Sequence, residues 1–272
     1  MASSAAANTL LSSSYYRFVY FNIRGAGEVC RLTLSLSGVP WEDVRYPISL
    51  ASHGFSPGKE FRRDASTGAF DINMGSLPLL QIVGRDNNNN SNKTVVMETL
   101  GQSHSIAKFV ATQHGLAGRD VLEQAKMDAI YENCRDVRAA WFRARRDKNG
   151  KAAWFSATGG NDDDRDQPKS LWEHCQRLEK AVVATDNSSD SRSPWCLGGP
   201  SPTLADVAIY HLLATPKPSV VTGSVASFFD GETDRVQQAY VDDCPRLAEC
   251  VRALGEVPAI QEWEKKRPET FN

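Results

Sequence analysis

Arg17-Phe-Val-Tyr-Phe-Asn-Ile-Arg-Gly-Ala-Gly-Glu-Val-Cys-Arg-Leu-Thr-Leu-Ser-Leu-Ser-Gly38, with Trp41-Glu-Asp-Val-Arg-Tyr46 close behind it, decides the fold. Arg17–Phe21 is short, aromatic and β-branched, which reads as a strand. The turn Arg24-Gly-Ala-Gly27 follows it. Val29, Leu32 and Leu36 then recur at helical spacing until Gly38, a natural helix C-cap. Trp41–Tyr46 reads as a second strand. A strand, a helix and a strand in this span imply a parallel pair joined by a right-handed crossover.

Outward from this unit, His53–Met74 is polar and Gly-containing and shows no readable period. Leu77-Pro-Leu-Leu-Gln-Ile-Val83 and Thr94–Met97 read as strands flanking Gly84–Lys93, whose Asn-rich core is a hairpin connection. Gln102–Gln113 reads as a helix with Ile106, Phe109 and Val110 on one face. This half is therefore β-α-β, an unassigned segment, then β-β-α, which suits a small mixed sheet with helices on its faces. After His114-Gly-Leu-Ala-Gly118 the signal changes. An amphipathic helix spans Asp120–Arg146, carrying Val121, Ala125, Ile130, Val137 and Trp141. Pro168–Ala184, Thr203–Ala214, Pro245–Leu254 and Pro258–Lys266 continue as helices, so the second half reads as all-α.

Composition narrows the function. The 272 residues carry 31 Lys+Arg against 33 Asp+Glu, a net charge of -2, which gives no electrostatic reason to expect nucleic acid or an anionic membrane as partner. No apolar run approaches the ~20 residues of a membrane span. Six cysteines stand apart, without a C-x-x-C pair or a Cys/His cluster, so no metal is expected and reduced thiols in a cytoplasmic setting fit. The Ser/Ala-rich start has neither the basic residues nor the apolar stretch of a secretory signal. It has the acid-free character of an organelle transit peptide but lacks the arginines; a disordered tail over residues 1–15 is the expectation.

Three places invite chemistry, each with a plainer alternative. Pro78 at a strand start is either a strand-entry proline or a bend that offers the Leu77 N–H and C=O to an extended peptide ligand. Gln102-Ser103 opens a helix, either as a simple N-cap or as a carboxylate site at the positive helix end. Tyr20 ends the first strand, either as a core-edge aromatic or as a phenol directed at a ligand at the strand C-terminus. Elsewhere, Arg143-Ala-Arg-Arg146 reads as a solvated helix end, Asn161-Asp-Asp-Asp164 as an acidic loop, and Cys30 as a buried structural thiol; His104 has no assigned role.

Taken in order, these features resemble the glutathione transferases, and within them the sigma-like, tyrosine-type branch that includes glutathione-dependent prostaglandin D synthases. The carrying segments are Tyr20–Arg31, Asn73-Met-Gly-Ser-Leu-Pro-Leu-Leu80, Gly101-Gln-Ser-His-Ser-Ile-Ala-Lys108, Pro200-Ser-Pro-Thr-Leu-Ala-Asp-Val-Ala-Ile-Tyr210 and Pro258–Pro268. The resemblance implies an α/β thioredoxin-like N-terminal domain over 16–113 and an all-α helical C-terminal domain over 119–272. It also implies activation of glutathione, the co-substrate, by Tyr20. Leu77, before a cis-Pro78, would pair with the cysteinyl unit; Gly75 and Ser76 would border it. Gln102 and Ser103 would hold the γ-glutamyl carboxylate, and Asp136, from the partner subunit of a homodimer, the γ-glutamyl amino group. Lys59, with Arg62 and Arg63 as rivals, would meet the glycyl carboxylate. Arg24, Arg138, Trp141 and Phe142 would line the electrophile site.

Thr203-x-x-Asp206 resembles the family's structural capping box. Ala26 stands where many relatives carry an arginine that polarises the tyrosine, and Ser76 where a basic residue is common. The implied function is conjugation of the glutathione thiolate to small hydrophobic electrophiles in detoxification. A glutathione-dependent isomerase or peroxidase, and a non-catalytic structural protein of the same fold, are the alternatives.

Overall fold

A computed structural model describes residues 15–51, 54–85, 94–146, 148–156, 170–185, 193–214, 229, 232–268 and 270. The expected tail, the Asn-rich hairpin connection and the acidic loop Asn161–Asp164 lie outside the described residues, apart from Tyr15, Gly84, Arg85 and the strand positions that flank them. The chain divides into two compact units, Met1–Val110 and Ala111–Thr270.

In the first unit, strand β1 (Tyr15–Phe21) leads through a short 3-10 turn at Gly25–Gly27 into helix α1 (Glu28–Ser37), which ends at Gly38 with a left-handed φ of 70°. β2 (Trp41–Tyr46) returns parallel to β1, as the crossover reading requires. The segment without a readable period holds a small hairpin, β3 (Ile48–Ala51) and β4 (Gly54–Pro57), then α2 (Lys59–Ser66) and a 3-10 turn at Asp71–Asn73. β5 (Leu79–Arg85) and β6 (Thr94–Gly101) form an antiparallel pair, and α3 (Ser103–Gln113) follows. The main sheet runs β2-β1-β5-β6. Phe18, Leu34, Leu80 and Ile106 are fully buried at its core. The Cys30 thiol of α1 donates to the Ser103 carbonyl at 3.2 Å, tying the start of α3 to α1.

The second unit is helical: α4 (Val121–Ala144), α5 (Lys148–Trp154), α6 (Leu171–Thr185), α7 (Leu204–Leu213), α8 (Thr233–Gln238), α9 (Pro245–Gly255) and α10 (Pro258–Lys266). α4 packs on α5, α6 and α7, and α9 packs on α6 and α7. Asp120 caps α4 by accepting from the Glu123 N–H at 2.9 Å. Glu179 of α6 takes the Arg246 and Leu247 N–H groups at the start of α9, both at 3.0 Å, so one helix caps another. The Thr203–Asp206 box forms as the sequence implied. Asp206 is wholly buried and accepts from the Thr203 N–H (2.7 Å), the Thr203 hydroxyl (2.9 Å), the Cys196 N–H (2.8 Å) and the Cys250 thiol (3.2 Å).

Candidate functional site

The end of the main sheet assembles the site through strand register. β1 pairs with β5 from Tyr15 opposite Val83 to Val19 opposite Leu79, and the β5–β6 ladder closes with Leu79 opposite Gly101. One step further along both registers come Tyr20, Pro78 and Gln102. β2 extends the row, because Arg45 is the partner of Tyr20 in the parallel pair. Three residues far apart in sequence thus fall on one line across the sheet's edge, where β5 has not yet begun and β6 has just ended.

The turns on either side hold this row. The Leu77–Pro78 peptide is cis, and both residues are buried. Asn73, also buried, donates through Nδ2 to the Ser76 carbonyl at 3.2 Å and the Pro78 carbonyl at 3.1 Å. A Cβ on Gly101 would lie 2.8 Å from the Asn73 Cβ, so only glycine lets β6 pass that side chain. Met74 and Gly75 take φ values of 55° and 72°, and Gly75 and Ser76 are exposed. Gln102 is exposed with φ 67°, immediately before the half-buried Ser103 at the first turn of α3. The first N–H groups of a helix have no partner within it and carry partial positive charge, which suits a carboxylate.

Tyr20 is 7% exposed and sits in an aromatic setting, with the Phe21 ring 5.6 Å away and the Phe18 ring 6.3 Å away. The Gly25–Gly27 turn is built around its ring. A Cβ on Gly25 would lie 3.0 Å from the Tyr20 hydroxyl, and one on Gly27 would lie 2.9 Å from the Tyr20 Cγ, in collision with the ring. Gly27 has an ordinary φ of -79°, so close approach alone demands glycine there.

Beside that ring lies a charge the sequence reading passed over. Arg31, fully buried, sets its guanidinium 5.6 Å from the Tyr20 ring centre and 5.3 Å from that of Phe18. It donates to Asp43 (3.1 Å) and to the carbonyls of Ile23 (2.8 Å) and Phe21 (3.3 Å), with Glu28 at 3.6 Å. Arg45 donates to the other oxygen of Asp43 at 2.7 Å and to Asn22 Oδ1 at 3.2 Å. Burial and the charge of Arg31 hold the Arg45 guanidinium below its ordinary pKa. Two cations and two carboxylates therefore neutralise one another behind Tyr20, and the guanidinium is close enough to polarise the ring through a cation–π contact. The signal for Arg31 was an arginine inside the apolar run Val29–Leu36; for Gly27 it was a second glycine two residues after the first.

The other anticipated residues fall as follows. Arg24 is buried beside Gly25, its carbonyl accepting from the Gly27 and Glu28 N–H groups at 3.0 Å. Lys59 is exposed at the start of α2; Arg62 donates to the Pro57 carbonyl and Arg63 to Asp64, so both rivals are engaged within their own segment. In the helical unit, α4 exposes Asp136, half-buries Arg138 and leaves Phe142 46% exposed. Trp141 is fully buried there, against Trp154, Phe155 and Phe229. Cys30 is buried, its pKa pushed up to about 12 by burial, so it stays a thiol at neutral pH. No cluster of metal-binding side chains is present among the described residues.

No protein-family model matches the chain. It is 26% identical over 263 residues to glutathione S-transferase 1 of Ascaris suum, covering 94% of this chain and 98% of that one. It is 30% identical over 141 residues to the hematopoietic prostaglandin D synthase of Gallus gallus, covering 52% of this chain and 57% of that one. Curated relatives at 30% identity or above align over only about half of their own length. The crystal structure of the glutathione S-transferase Na-GST-3 from the hookworm Necator americanus superposes with a TM-score of 0.59 at 23% identity, covering 94% of this chain and 98% of that one. The fold is the thioredoxin-like plus all-helical fold of the cytosolic glutathione transferases. Several of the curated relatives that the chain resembles are named glutathione S-transferase.

Proposed function

We propose that the chain binds reduced glutathione along the row at the sheet's end and conjugates its thiolate to small hydrophobic electrophiles. The observation that carries this is the alignment of Tyr20, Pro78 and Gln102 by strand register. A tripeptide laid along Leu77 meets the Leu77 backbone in the middle, Gln102 and Ser103 at the γ-glutamyl end, and the Tyr20 hydroxyl at the sulfur. Gly75 and Ser76 border it, Lys59 takes the glycyl carboxylate, and Asp136 of a second copy reaches the γ-glutamyl amino group in a homodimer. Arg24, Arg138 and Phe142 are proposed to select the electrophile; Trp141, fully buried in its own aromatic cluster, supports the helix that carries Phe142 and does not touch the ligand. The proposed setting is cytoplasmic, and the proposed role is detoxification.

The chemistry assigns Tyr20 a donor's part. A thiol of pKa about 8.5 is only ~3% ionised at pH 7. A hydrogen bond to the charged sulfur that lowers its pKa by about 2 units raises the ionised fraction to roughly three-quarters. A Brønsted slope of ~0.4–0.5 returns part of that gain as lower nucleophilicity. Most of the acceleration therefore comes from holding the electrophile beside the sulfur and excluding water. The guanidinium of Arg31, 5.6 Å from the Tyr20 ring centre, supports donation by the phenol where Ala26 offers no side-chain cation.

The relative named a prostaglandin D synthase supports the sigma-like placement and a second reading, glutathione-dependent isomerisation, which uses the same thiolate. Capture on immobilised glutathione, with turnover of a model aryl halide, tests the first reading. Wild type is expected to be captured and to turn over, and Tyr20→Phe to be captured with turnover lowered by about tenfold or more. Capture with no wild-type turnover of any electrophile contradicts a transferase.

A further inference from the structure

The turn that delivers Leu77 and the turn that delivers Gln102 belong to different strands, yet one side chain touches both. Asn73 closes the 3-10 turn Asp71–Asn73 and is 4% exposed. Its carbonyl accepts from the Ser76 N–H at 3.0 Å. Its Nδ2 donates to the Ser76 carbonyl at 3.2 Å and to the Pro78 carbonyl at 3.1 Å. Ser76 is thus held at both of its backbone groups, and the carbonyls on either side of Leu77 are tied to a single nitrogen. Leu77 lies between two fixed points.

The other side of the same amide faces β6. Asn73 Oδ1 is buried and has no hydrogen-bond partner among the described residues, although buried acceptors are nearly always paired. Turning the amide over would not relieve it, because the oxygen would then face the Ser76 and Pro78 carbonyls. A Cβ on Gly101 would lie 2.9 Å from that oxygen and 3.0 Å from Asn73 Cγ, so the Gly101 backbone runs directly against the amide. Gln102 follows with a φ of 67°, and its carbonyl accepts the Ile106 N–H at 2.9 Å in the first turn of α3. An apolar side chain would fill this space without an orphaned acceptor. What an amide adds is the pair of donors that holds Leu77.

We propose, resting on the glutathione reading above, that Asn73 is a positioning residue for the tripeptide. It fixes the spacing between the Leu77 backbone, which meets the cysteinyl unit, and the Gln102–Ser103 helix start, which meets the γ-glutamyl end. It reaches the first through hydrogen bonds and the second through contact with Gly101. Its part is in binding and not in ionising the thiol, since a neutral amide with both N–H groups occupied offers the sulfur nothing. Tyr20 and Asn73 therefore divide the work: one acts on the sulfur, the other on the frame that holds the peptide.

The variants are Asn73→Leu, which fills similar space without donating, and Gly101→Ala, which presses on the amide from the β6 side. Each is measured in the full chain for glutathione Kd, kcat with a model aryl halide, and the pH titration of the bound thiol. Both are expected to weaken glutathione about tenfold or more, with kcat at saturation within about twofold of wild type and the thiol titration unmoved. Tyr20→Phe is expected to do the reverse. Without ligand, hydrogen exchange at the Ser76 and Ile106 amides, the bonded donors of the two turns, is expected to quicken together in Asn73→Leu, while the Phe18 and Leu80 amides keep wild-type rates. Unchanged glutathione affinity in the folded variants, a thiol titration that shifts with them, or exchange that quickens at Ser76 alone overturns the proposal. Failure of wild type to bind glutathione would count against the glutathione reading, and the paired exchange rates would still decide whether Asn73 couples the two turns.

Discussion

Each unit of the molecule buries a charge completely: Arg31 in the first and Asp206 in the second. Each is saturated with hydrogen bonds, as a buried charge must be. Asp206 gathers its donors from Thr203, Cys196 and Cys250, all structural neighbours at the start of a helix. Arg31 instead spends its donors on Asp43 and the carbonyls that follow β1, and turns its face to Tyr20. The same device secures a helix start in one place and backs the proposed glutathione site in the other. What distinguishes them is the neighbour that gains from the charge.

The largest effect that can break this contrast is alkaline. All six cysteines are free and buried, five of them in the helical unit. Burial pushes Cys30 and Cys134 up to about 12 from an ordinary value near 9, and Cys175, Cys196 and Cys250 well above it. The unfolded chain loses these protons first. The stability they contribute is thus full below pH 9 and is lost as pH rises towards 12. Stability is expected to fall steeply above pH 9, with the helical unit opening first in hydrogen exchange. Thiol labelling is expected to be negligible at pH 7 and to reach all six in denaturant. A stability flat from pH 8 to 11 contradicts this.

Next comes removal of the structural charge. Asp206→Ala leaves the Cys196 and Thr203 N–H groups without their acceptor and is expected to cost about 3–5 kcal/mol. Denaturant titration should show the loss, with the residual folded protein still able to bind glutathione. Arg31→Met is expected to cost about 3 kcal/mol and, in addition, to lower turnover about tenfold while the Tyr20-dependent pH profile shifts upward. A purely structural arginine would lower stability and leave the pH profile in place. Smallest is Gly27→Ala, which drives a methyl into the Tyr20 ring and is expected to cost about 1–3 kcal/mol by overpacking. Near-ultraviolet circular dichroism should report the displaced tyrosine.

These two charges were not equally legible. The Thr203-x-x-Asp206 box was legible through the family resemblance, but the Cys196 and Cys250 donors that complete the shell of Asp206 were not. Arg31 lies inside an apolar helical run, and its partners Asp43, Phe21 and Ile23 come from strand ends that only the fold unites. The β-α-β start was legible because Val29, Leu32 and Leu36 mark a helix and Gly38 stops it. The segment after His53 was not, because α2 buries none of its own residues and so carries no apolar stripe to read. Tyr20, Pro78 and Gln102 were each visible alone. Their common row depends on ladder register, which hydrogen bonds between distant strands determine and local sequence does not. Asn73, which holds the Pro78 turn, offered no signal beyond its place at the head of the Asn73–Leu80 segment.

The central claim is that the Tyr20 hydroxyl hydrogen-bonds to the sulfur of a tripeptide bound at the end of the sheet. The ultraviolet absorbance of the thiolate, titrated with pH for glutathione bound to wild type and to Tyr20→Phe, measures that contact. Wild type is expected to ionise the bound thiol about 2 units below the free peptide, and the variant to return most of the way to it. Identical titrations for the two proteins would contradict the account.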